Sequence, residues 1–104
     1  MQKSLPAVQW FVLLHPAQTV RGVVIYRLKY DPAAEAVHEA MPATASETLT
    51  LALADACHDP IAVTEPYGED DGIMRMIVTE QAFAVLLVGH TLKTLTVLQI
   101  NYLG

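Results

Sequence analysis

Residues 72–104 read GIMRMIVTEQAFAVLLVGHTLKTLTVLQINYLG, three apolar runs separated by short polar links. The runs Ile73–Thr79, Ala82–Val88 and Leu95–Leu103 have the length of strands and are rich in the residues that suit a pleated, half-buried surface. Their links, Glu80-Gln81 and GHTLKT, are short enough for antiparallel hairpins, so the stretch is expected to form a meander. The middle run, AFAVLLV, is apolar on both faces, as expected of a strand covered on each side. In the first run Arg75 alternates with Ile73 and Ile77 and therefore shares their face. A cation on so apolar a face needs a reason.

Upstream of the meander the periodicity turns helical. Asp31-Pro32 opens a first helix, with aspartate as its cap and proline in its first turn. Ala33, Val37, Ala40 and Met41 form its apolar stripe, and Pro42 ends it. Thr44 and Glu47 have the spacing of a capping box for a second helix, with Leu49, Ala52, Leu53 and Ala56 as its buried stripe and Asp59-Pro60 as its stop. Two helices this short need a sheet to lie on. The stretch AVTEPYGEDDG, with its proline and glycines, is an acidic loop.

Before the helices, GVVIYRLKY (Gly22–Tyr30) alternates as a strand, with Val24, Tyr26, Leu28 and Tyr30 on one face and Ile25, Arg27 and Lys29 on the other. A further strand, Ala7–Leu14, is closed by His15-Pro16 and carries Trp10 among apolar neighbours on both faces. It is expected to hairpin onto Gly22–Tyr30, to pair with a second copy, or to accept a partner strand at its edge. The order β-β-α-α-β-β-β predicts an α+β fold: a twisted, mainly antiparallel sheet with a two-helix hairpin on one face and an extra N-terminal strand. The chain reads as one domain, 1–104, with 1–21 as the N-terminal extension.

Composition narrows the function classes. Hydrophobic residues make up 53% of the chain and charged residues 16%, against roughly 45–50% and 25% in ordinary globular domains. So little polar surface for a small sphere argues for a homodimer or a tightly held partner. One cysteine, Cys57, allows no internal disulfide, which fits a reducing cytoplasm. No apolar run approaches the roughly 20 residues of a membrane helix, and the opening residues read as part of the fold rather than as a leader. The net charge is −5, and all eleven acids fall between Asp31 and Glu80. Such an acidic middle would repel a phosphate backbone.

The usual chemical motifs are missing. His15, His38, His58 and His90 fall in different elements without ligand spacing and are expected at the surface or at helix ends. The run GEDD lacks the spaced ligands of a calcium loop. With no Gly-rich phosphate loop or nucleophile elbow either, no cofactor or metal is expected, and Ser46 and Cys57 read as ordinary helix residues.

From about Gly22 onward the chain resembles the RelE/ParE superfamily of toxins from type II toxin–antitoxin modules. The resemblance is carried by YRLKYDPAAEAVHEAMP, LALADACHDPIAVTEPYG, MRMIV, AFAVLLVG and TLTVLQINYL, in that order. It implies a strand, a helical hairpin and a meander, an antitoxin partner, and an action on ribosome-bound mRNA or on gyrase. By the same resemblance Arg75 matches a basic position in the first meander strand, Tyr102 stands for a terminal aromatic, and Lys93 or Lys29 could assist. The pattern departs where members commonly carry Tyr-Arg and this chain has Phe83-Ala84, and only Leu103-Gly104 follow Tyr102. Cleavage by a ribose hydroxyl needs a base, an acid and cations around the developing charge, and losing one such stabiliser typically costs about 10²–10³ in rate. The expectation therefore leans away from an enzyme, with a non-catalytic dimeric interaction module as the alternative. For Arg75, pairing with Glu69, Asp70, Asp71 or Glu80 takes precedence over a role at phosphate.

Overall fold

A computed structural model of the chain describes residues 18–20 and 23–104. The meander is present: β5 (Met74–Val78), β6 (Ala82–Gly89) and β7 (Thr94–Tyr102) are consecutive antiparallel neighbours. The β5–β6 turn is tight because Thr79 N–H donates to the Ala82 carbonyl at 2.8 Å, while the Thr79 side chain bonds Ala82 again. Strand β3 (Arg27–Tyr30) lies beside β7 in parallel, with Leu28 opposite Leu95. That pairing is open to it because the helices between them supply the long crossover that parallel strands require. At the opposite edge is β4 (Glu65–Pro66), two residues against β5, so the order is β3-β7-β6-β5-β4. Both edges are guarded against further pairing, one by the cations of β3 and the other by brevity and a proline.

The strand expected over Gly22–Tyr30 is broken. Tyr26 N–H leaves the ladder and donates to the Cys57 carbonyl at 2.8 Å, one of the acceptors that a helix end leaves open. Ahead of the break, β2 (Val23–Ile25) forms a separate hairpin with β1 (Gln18–Val20), in the register Gln18–Ile25 and Val20–Val23. The sequence reading did not include β1, and its strand Ala7–Leu14 lies outside the described residues.

The helices are α1 (Pro32–Ala40), α2 (Ala43–His58) and the single turn α3 (Pro60–Val63). Asp31 caps α1 as expected, accepting Ala33 N–H at 3.1 Å. The buried face of α1 is Ala34, His38 and Met41, rather than the stripe that began at Ala33 and included Ala40. The helix is turned so that His38, which finds polar partners inside, points inward. No capping box forms at α2: the helix already starts at Ala43, no side chain caps it, and the Thr44 carbonyl is occupied by the Thr48 hydroxyl. Pro42, with φ at −56°, leads the chain into that helix two residues earlier than a cap at Thr44 would. Asp59 ends α2 as anticipated and then caps α3, accepting Ala62 N–H at 3.2 Å.

The core lies between the helices and one face of the sheet. Leu49, Leu53, Ala56 and Cys57 of α2 join Leu28, Ile77, Ala84, Leu86, Leu95, Val97 and Ile100 of the strands in one buried cluster. The opposite sheet face, by strand alternation and register, carries Met74, Met76, Val78, Phe83, Val85 and Leu87. It bears no charged residue on β6 or β7.

Burial pushes the Cys57 thiol up to about 12, and it raises the Tyr30 hydroxyl as well, with the neighbouring charges of Cys57 and Glu35 adding to it. An acid whose folded value is raised is held neutral by the fold. Its contribution is complete below the unfolded value and is lost as pH rises toward the folded one. Stability should therefore fall as pH rises from about 9 toward about 12, with Cys57 alone contributing at most the slope of one proton. Denaturant titrations across that range test this: Cys57→Ala should show a shallower decline, keeping only the Tyr30 part, and an unchanged slope would remove Cys57 as its cause.

Candidate functional site

Arg75 is 4% exposed, and its fork is turned into the protein. Nε donates to the Thr64 hydroxyl at 2.9 Å, Nη2 to the Thr64 carbonyl at 2.8 Å and the Ile61 carbonyl at 3.3 Å, and Nη1 to Asp70 Oδ1 at 3.1 Å. The Thr64 hydroxyl in turn donates to the Pro60 carbonyl. The elements explain the arrangement. Helix α3 is one turn long and leaves its last carbonyls without intrahelical donors, at the end where a cation is favoured. Arg75 reaches them from β5, and a planar guanidinium with five donors can bind three residues at once. Of the four carboxylates expected to compete for it, Asp70 is the one paired in the structure. An incoming phosphate would have to displace these partners.

Tyr102 closes β7, opposite Ala82, and its ring is exposed. Arg75 sits opposite Leu86, four residues further along β6, which is roughly 13 Å at about 3.3 Å per residue. Lys93 lies beyond the far end of β7, nine residues from Tyr102 and so roughly 30 Å from it along the strand. The three candidate residues are not gathered at one point. Lys93 instead stands 5.5 Å from the centroid of the Tyr26 ring, its backbone at φ +56°. Tyr26 Oη and His90 Nδ1 are 3.4 Å apart, and His90 Nε2 donates to the Gly72 carbonyl at 2.6 Å. Because a carbonyl only accepts, that bond fixes the tautomer and makes Nδ1 the acceptor of the tyrosine hydroxyl. His90 is exposed, as expected from its place in a turn.

Charge is separated across the sheet. Arg27 and Lys29 lie on β3, and Lys93 is bonded to it through its carbonyl, which accepts Arg27 N–H at 2.8 Å. Glu65, Glu69, Asp70 and Asp71 lie on β4 or in the loop after it, at the other edge. Asp71 Oδ1 accepts the N–H groups of Ile73 and Met74 at 2.9 and 3.3 Å. These bonds, with a smaller push from Arg75, hold its carboxyl below the usual carboxylate range. Among the described residues, no group of three or more His, Cys, Asp or Glu is placed to hold a metal, and no helix is long and apolar enough to cross a membrane.

His38 lies in the last turn of α1, one of the two places the sequence reading gave the histidines, but it faces inward. It is buried, its Nδ1 2.8 Å from the Tyr30 hydroxyl and its Nε2 within 3.2 Å of the Ser46 carbonyl and 3.1 Å of the Thr50 hydroxyl. Since the Thr50 hydroxyl donates to the same Ser46 carbonyl at 2.8 Å, Nε2 carries the proton and Tyr30 donates to Nδ1. Its spacing from Ala34 and Met41, four before and three after, was the available signal.

Solved structures share this architecture. The isolated RelE toxin of E. coli matches with a TM-score of 0.65 at 18% identity, over 77% of this chain and 85% of that one. A mutant of the same toxin in its free state gives 0.65 at 17%, over 75% and 83%. The RelBE2 toxin–antitoxin complex of Mycobacterium tuberculosis gives 0.63 at 12%, over 83% and 95%. No family model and no curated protein matches the chain. The fold is thus the RelE-like toxin fold, as the order of elements implied.

Proposed function

We propose that this chain is the toxin-side component of a type II toxin–antitoxin module, held by an antitoxin segment, and that it acts by docking on its target rather than by cutting RNA. The observation that carries the reading is the extent of the fold likeness, which reaches 95% of the length of a chain from a toxin–antitoxin complex. The uncharged part of that sheet face, on β5, β6 and β7, supports a partner-binding role, because the apolar surface of β5 and β6 there is stabilised by being covered. Docking is favoured over cleavage by the inward-turned fork of Arg75 and by the distance between Tyr102 and Lys93 along β7. RNA cleavage would require Arg75, Tyr102 and Lys93 to converge on one phosphate. Ribosome-bound mRNA and gyrase remain the targets that the likeness brings forward. A non-catalytic dimer serving only as an interaction module is the second reading, favoured by the surplus of apolar residues.

Bacterial expression separates the readings. The toxin role predicts growth arrest that the protein encoded by the adjacent gene relieves. Harmless expression of a stable homodimer would contradict it and leave the interaction module.

A further inference from the structure

Strand register fixes which side chains share the sheet face away from the helices. Three apolar pairs stand side by side across β5 and β6: Met74 with Leu87, Met76 with Val85, and Val78 with Phe83. Thr96, Gln99 and Asn101 of β7 extend those three rows with uncharged groups. On this face the strands carry charge only at the two rims. Lys29 of β3 stands opposite Thr96, with Arg27 two residues before it on the same side, and Glu65 of β4 stands opposite Met76. Val78 and Leu87 are 57% and 38% exposed. The helices lie on the other face, and with the residues that open and close them they hold six acids, Asp31, Glu35, Glu39, Glu47, Asp55 and Asp59, with no lysine or arginine among them.

We propose that this face packs on the same face of a second copy, across a two-fold axis running along β6. Strand β6 is the middle one of five, so such an axis exchanges the rims, and the Glu65 edge of each copy meets the Arg27 and Lys29 edge of the other. The rows of Lys29 and Glu65 are adjacent, roughly 7 Å apart along the strands, which a lysine side chain spans. The strands of the two copies then run nearly aligned, as in two sheets packed face to face. Apolar area supplies the attraction, and the crossed rims set the orientation. Both molecules carry a net charge of −5, but this arrangement leaves the helix acids of each copy on the outside, with two sheets between them. Pairing through the helices would bring those acids together. The inference stands under either reading of the function, because an antitoxin that takes the same face would displace the second copy.

Sedimentation equilibrium of the full chain over a concentration series tests this. The chain should pass from monomer to dimer as concentration rises. The variant Val78→Lys/Leu87→Lys should stay monomeric, with the melting temperature that the parent shows at a dilution where it too is monomeric. Glu65→Lys should weaken the dimer about tenfold, although losing one acid and gaining one base takes the net charge from −5 to −3 and lessens the overall repulsion. Lys29→Glu should weaken it similarly. The two rim changes together should restore it, because the exchanged rims again present opposite signs to each other. A monomer at every concentration, a dimer indifferent to the Val78 and Leu87 changes, tighter association of Glu65→Lys, or no recovery in the combined variant would each overturn the proposal. So would Overhauser contacts from Trp10 to Met76 or Leu87 in a monomer, which would make the chain's own opening residues the occupant of the face.

Discussion

Arg75→Ala is expected to destabilise the protein by about 3 kcal/mol. Hydrogen bonds to a charged group are worth about 1.5–3 kcal/mol each, and this substitution removes four, although some of the freed carbonyls regain water. For a domain of this size that should lower the melting temperature by more than about 10 °C. The ion pair itself contributes little of this. Asp70 is 78% exposed, and pairs of that kind contribute about 0–1 kcal/mol, so Asp70→Asn should leave the melt nearly unchanged. Arg75→Lys should fall between, because one ammonium cannot span Thr64, Ile61 and Asp70 together. Thermal melts of the three variants decide the matter. A residue poised for phosphate chemistry would give the opposite pattern, an Arg75→Ala protein as stable as the parent.

His38→Ala is expected to cost about 3 kcal/mol as well. It opens a cavity between α1 and α2, and it leaves the Tyr30 hydroxyl, which has no other side-chain partner among the described residues, without its acceptor. An unmade hydrogen bond at a buried group costs more than a made one contributes, so the order of effects is informative. Tyr30→Phe in the His38→Ala background should cost less than Tyr30→Phe alone, since the hydroxyl it removes is already unpartnered. Denaturant midpoints of the four proteins measure that coupling, and strict additivity would mean that the two side chains do not act together.

These residues also show how much of the molecule was legible beforehand. The meander was readable because its evidence is local: runs of strand length, links too short for anything but hairpins, and a central run apolar on both faces. Asp31 and Asp59 were readable for the same reason, since a cap acts on the backbone two or three residues away. Thr44 and Glu47 misled because the motif was present but Pro42 started the helix ahead of it. The break at Tyr26 depends on a carbonyl 31 residues later, at the end of α2, and no periodicity reports such a bond. The helix-end place of His38 was readable but its burial was not, because histidine suits surface and interior alike, and only the partners brought by β3 and α2 decide. Arg75 fell between these cases. The excess of nearby carboxylates pointed to an internal partner, and Asp70 is there, but the bonds to α3 come from a single helical turn that the sequence reading did not resolve.

That assignment of Arg75 to the framework is the claim on which the docking reading rests, and its Nε proton reports on it directly. Donating to the Thr64 hydroxyl inside a residue 4% exposed, that proton should give a resolved nitrogen-correlated signal, shifted from those of free arginines and exchanging slowly with water. A signal at the ordinary position of solvated arginine side chains, exchanging as fast as theirs, would contradict the account.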